Sequence, residues 1–77
     1  MPSNGTSGHI IRYPRMNRGI HFADFMRDER INVYHCIIQR VGVNEILTWT
    51  QHHSLEAAME SAEAELRVLV GSIAAGM

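Results

Sequence analysis

Ile31-Asn-Val-Tyr-His-Cys-Ile-Ile-Gln-Arg40, then Val41-Gly-Val-Asn44, Glu45-Ile-Leu-Thr-Trp-Thr-Gln51 and a run opened by Ser54 form the stretch that decides the fold of this 77-residue chain. Apolar and polar residues alternate through the first and third segments, the period of a strand with two unlike faces. A glycine sits between them, where a tight turn needs positive φ. Gly42 at the first central position of a two-residue type II′ turn sets Val41 opposite Asn44 and Arg40 opposite Glu45 as a cross-strand ion pair. Continuing that register pairs Ile38 with Leu47, Cys36 with Trp49 and Tyr34 with Gln51, which gathers the large apolar groups on one face. Val33, Ile37, Ile46, Thr48 and Thr50 fall on the other. A three-residue loop would bury Gln39 and expose Ile38, a poorer arrangement.

Ser54 is an N-cap, its hydroxyl suited to an unpaired amide of the first turn, and Glu56 favours the positive end of the helix dipole. Leu55, Met59, Ala62, Leu66, Leu69, Val70 and Ile73 recur at helical spacing. Burying such side chains contributes at most about 1.5 to 3 kcal/mol each. This stripe is expected to seal the apolar side of the hairpin, with Gly71 ending or fraying the helix. Glu56, Glu60, Glu63 and Arg67 line the neighbouring strip, Glu63 and Arg67 at i, i+4 spacing. A small-residue stripe of Ala57, Ser61, Ala64 and Val68 would admit close approach of a second helix.

Upstream the pattern is weaker. Residues 1 to 8 bury almost nothing and read as a flexible tail. His9 to Tyr13 suits a short edge strand before Pro14, which cannot donate to a ladder. Ile20, Phe22, Phe25 and Met26 cluster at near-helical spacing, so a short helix over 23–29, capping the core, is expected. The fold class is therefore α+β: a small antiparallel sheet packed against one long C-terminal helix, within a single domain over 9–77.

Composition bounds function. A chain this short buries a modest share of its surface, so a partner or a second copy would add stability. Cys36 is alone and forms no internal bridge, which suits a reducing, cytoplasmic setting. No signal-peptide core opens the chain, and the glycine-broken stretch from Val68 to Met77 is too short to cross a bilayer, so a soluble protein is expected. All seven cations are arginine. Arg12, Arg15 and Arg18 lie in an acid-free N-terminal third, whereas Glu45, Glu56, Glu60, Glu63 and Glu65 face only Arg67 after residue 40.

Catalytic chemistry finds no anchor. His35 and His52 are expected on one sheet face with Cys36 on the other, and no Cys-x-x-Cys or His-x-x-x-His pair completes a metal set. No glycine-rich phosphate loop follows a strand, and no base shares a face with Cys36. No enzyme activity, cofactor or metal is expected. The charged groups point instead to contact: Glu56, Glu60 and Glu63 as an acidic strip for a basic partner surface, and Arg12, Arg15 and Arg18 as partner-binding cations that would also serve a nucleic acid. The apolar sheet face invites homodimerisation or partner docking, through the sheet edge or the face.

The hairpin followed by Ser54-Leu-Glu-Ala-Ala-Met-Glu-Ser-Ala-Glu-Ala-Glu-Leu66 resembles the strand-to-helix passage of HicB-like antitoxin domains, which implies a transcriptional or antitoxin-type accessory role. In size, charge segregation and lack of catalytic motifs the chain is similar in type to accessory proteins of temperate phages, among them anti-CRISPR proteins. That resemblance implies a stoichiometric inhibitor or modulator of a bacterial host protein or ribonucleoprotein complex, without turnover and in the host cytoplasm.

Overall fold

The computed structural model describes residues 9–75, with side chains through Gly71; the expected tail over 1–8 lies outside these residues. Alternation and glycine turns together build an antiparallel meander. Its strands are β1 (Ile10–Arg12), β2 (Met16–Arg18), β3 (His21–Asp28), β4 (Val33–Arg40) and β5 (Ile46–His52), followed by helix α1 (Leu55–Ala75). β1 and β2 pair with opposite ends of β3 and amount to one edge strand interrupted around Pro14; β3 and β4 are central, and β5 forms the other edge. The Tyr13 N–H still donates to the Phe25 carbonyl at 3.0 Å, so pairing nearly spans the interruption. This is the expected α+β class, a small sheet against one C-terminal helix.

The helix expected over 23–29 is instead central strand β3. Phe22, Phe25 and Met26 fit a helical patch, but the same segment also carries period two: His21, Ala23 and Phe25 face α1, while Phe22, Asp24 and Met26 face away. Aromatic residues suit a pleated surface, and a short apolar run cannot separate the two periods by itself. Pairing along all eight residues with β4 decides it. The 9–13 edge strand stands as β1.

The β4–β5 hairpin departs from the expected register by one β-bulge. Gln39 pairs with Ile46, the pair next in line after the anticipated Arg40 and Glu45. The ladder then shifts, so that Ile38 meets Thr48, Ile37 meets Trp49, Cys36 meets Thr50 and Tyr34 meets His52. Leu47 is the extra residue. Because side chains alternate, one inserted residue turns everything beyond it onto the opposite face. Trp49 is therefore on the face away from the helix, 59% exposed, and Thr48, Thr50 and His52 take the inner side. The turn differs too. The Val43 N–H donates to the Arg40 carbonyl, and Gly42, at φ 82°, occupies the second central position, where type II geometry demands positive φ. The Gln39 amide donates to the Asn44 carbonyl across the loop. Among the described residues neither Arg40–Glu45 nor Glu63–Arg67 is an ion pair.

α1 begins as its sequence dictates. The Ser54 hydroxyl accepts the Ala57 N–H at 3.0 Å, the N-cap bond. The helix runs through Gly71 to Ala75 rather than ending there. Its buried stripe is narrower than the apolar spacing suggests: Ala58, Ala62 and Leu66 are wholly buried against Ala23, Phe25, Cys36 and Ile38, and Leu55 and Leu69 pack at the margins. Met59 and Val70 remain exposed. Two alanines at the contact let the helix backbone sit close to β3 and β4, and a close seat leaves flanking large residues beyond the sheet's reach.

Candidate functional site

Two surfaces are left open by this packing. The first is a groove of about 540 Å³ between the opening half of α1 and β2, lined by Met16, Leu55, Met59, Glu56, Glu60 and Glu63. Its floor is apolar because Met16 on the edge strand and Leu55 on the first helical turn both lean on the core, while Met59 stands exposed beside them. Methionine is unbranched and polarizable, well suited to accommodating varied apolar groups. The rim is acidic. Glu56 and Glu60 are exposed with no ionic partner among the described residues, whereas Glu63 receives both oxygens' worth of hydrogen bonding from the Arg18 guanidinium at 2.8 and 3.1 Å. The strip predicted as one surface is thus two open carboxylates and one already engaged.

The second surface is the sheet face turned from the helix. Ile10, Arg12, Met26, Val33, Ile37, Ile46 and Trp49 share it by register. Trp49 donates its indole N–H to His35 Nδ1 at 3.0 Å, and the rings meet edge-on at 5.8 Å. His52, expected beside His35, lies on the helix side instead, bonded to the Thr50 hydroxyl at 2.8 Å; the Leu47 bulge separates them. Among the described residues no three His, Cys, Asp or Glu groups gather as a metal set.

The three N-terminal arginines do not act as one arm. Arg15 grips Asp24 through Nε and a terminal nitrogen at 2.7 and 3.1 Å and lies 3.9 Å above the Phe22 ring, shielding it. That hydrogen bond to Asp24 holds the Arg15 guanidinium protonated beyond its already high pKa. Arg18 crosses to the helix side to meet Glu63. Arg12 lies exposed on the outer face.

Cys36 is buried among Phe25, Ile38 and the helix alanines. Burial pushes its thiol pKa upward, the Thr50 hydrogen bond opposing this in part. The neutral thiol is a poor nucleophile, and its surroundings are those of a core residue. His21 is also buried, 4% exposed, with Nδ1 unpartnered at the end of β3. Nothing in the alternation singles out His21, since its burial depends on where the helix lies across the strand.

Met16, Met59 and Trp49 are the site residues that spacing alone misplaces or misses. Met59 carries the helical period but projects past the sheet edge. Met16 becomes its partner only through the break at Pro14. No known protein family, curated protein or solved structure matches the chain. No helix among the described residues is long and apolar enough to cross a membrane.

Proposed function

We propose that this chain is a non-enzymatic protein-binding module that acts by stoichiometric contact, inhibiting or modulating a larger bacterial host complex in the cytoplasm on behalf of a phage or other mobile element. The observation that carries the reading is the groove: an apolar floor of Met16, Leu55 and Met59 under the unengaged carboxylates of Glu56 and Glu60. Such a groove complements a segment with an apolar anchor flanked by Arg or Lys, the composition that a nucleoprotein machine presents where it holds nucleic acid. Apolar anchoring supplies affinity, and the open carboxylates supply orientation and association rate.

Direct nucleic-acid binding is the weaker reading. Arg15 and Arg18 already hold the protein's own carboxylates, and a polyanion approaching the helix would meet Glu56 and Glu60. Substituting Glu56→Lys and Glu60→Lys together leaves the Arg18–Glu63 bridge and the core untouched. At moderate salt this double variant is expected to lose capture of its bacterial partner while retaining its circular dichroism, with an unfolding midpoint lowered only modestly by the loss of Glu56 from the first helical turn. Undiminished capture by the folded variant would reject the groove as the contact.

A further inference from the structure

The two edges of the sheet are built differently. One is the interrupted β1/β2 strand, broken at Pro14 and bearing Arg12, Arg15 and Arg18. Proline and charge are the devices that keep a sheet edge from pairing with another chain. The other is β5, seven residues with no proline and no Asp, Glu, Lys or Arg. Its one irregularity, the Leu47 bulge, lies at the start, and Thr48 to His52 run in regular register with β4. Among the described residues nothing pairs with its outer side. Leu47 and Trp49 are 44% and 59% exposed on this strand, the Trp49 indole lying on the outer face and turned over β4 to His35.

We infer that β5 is a self-pairing edge: a second copy of this chain adds antiparallel to it about a two-fold axis through Trp49. The local sequence is symmetric about that point. Thr48-Trp49-Thr50 reads the same in both directions, so the axis sets Thr48 of each copy opposite Thr50 of the other, a favourable cross-strand combination, and places the two Trp49 residues directly opposite on the same outer face. Leu47 falls opposite Gln51, and no charge meets its own copy. An isologous contact requires this self-complementarity. A two-fold perpendicular to the sheet keeps both helices on one face and joins the two outer faces into one surface. The Met16–Met59 groove lies by the opposite edge and stays open in each copy, so the pairing is independent of the binding function proposed above.

Sedimentation across a concentration series tests it. The chain as it stands is expected to show a monomer–dimer equilibrium. Trp49→Lys, at an exposed site, sets like charges face to face and should raise the dimer dissociation constant by about tenfold or more. Trp49→Glu alone should do the same, and mixing the two variants should restore a heterodimer. Ile10→Lys, on the same outer face but at the far edge, should leave the dimer unchanged. A chain that stays monomeric throughout would overturn the inference. A dimer indifferent to Trp49→Lys, not restored by mixing, or dissolved by Ile10→Lys would overturn it as well, the last because it would reveal face-to-face packing.

Discussion

The two faces of the sheet are made from the same strands but solve different problems. Towards the helix, Ala23, Phe25, Cys36 and Ile38 meet Ala58, Ala62 and Leu66 with almost no exposed area. Away from it, Ile46 and Trp49 are exposed while Met26, Val33 and Ile37 are half-buried, and Arg15 shelters Phe22. The inner face holds the fold. The outer face, with the edge next to it, carries the exposed Ile46 and Trp49.

The contrast gives substitutions of very different size. Leu66→Ala removes the largest helix side chain in the core and should cost about 2 to 5 kcal/mol, enough to take much of the stability of so small a domain; urea unfolding would measure it. A loss below about 1 kcal/mol would mean that α1 is not seated as described.

Cys36 gives a smaller, pH-dependent effect from the same face. Burial raises its folded pKa above the ordinary value, so the folded state keeps the proton that the unfolded chain releases. The associated stability is fully present below the unfolded pKa and is lost as pH rises from there through the folded value. Unfolding midpoints should fall in that alkaline range, and Cys36→Ala should flatten this part of the profile. An alkaline loss unchanged by the substitution would place the thiol in water.

Trp49→Ala should have the least effect. On a bare face, and in protein dilute enough to be monomeric, it should change unfolding free energy by no more than about 0.5 to 1 kcal/mol, covering its partly exposed contacts and the hydrogen bond to His35. A core-sized penalty would return the indole to the inner face and collapse the contrast.

The sequence made some of this legible for physical reasons. Ser54 announces its helix because capping is a local hydrogen bond, and β4 and β5 announce themselves because period two survives along both. β3 was hidden because Phe22, Phe25 and Met26 satisfy both periods over a short span, and only its pairing with neighbours on both sides decides between them. The bulge at Leu47 was hidden for a different reason. Apolar matching favours Trp49 beside Cys36, yet the seat of α1 on Ala23, Cys36 and Ile38 leaves no comparable apolar contact over β5, where Thr48, Thr50 and His52 lie instead. Of the candidate site, Glu56 and Glu60 were readable as an exposed acidic strip; Glu63 and Arg18, distant in sequence, reveal their bond only in the folded chain.

Every statement about the outer face and its edge depends on how β5 pairs with β4. Nuclear Overhauser contacts across that pair read it directly. Backbone contacts of Thr48 with Ile38, Trp49 with Ile37 and Thr50 with Cys36, beside Ile46 with Gln39, are the expected result. Contacts of Leu47 with Ile38 and Trp49 with Cys36 would contradict it, placing Trp49 under the helix and removing the bare face.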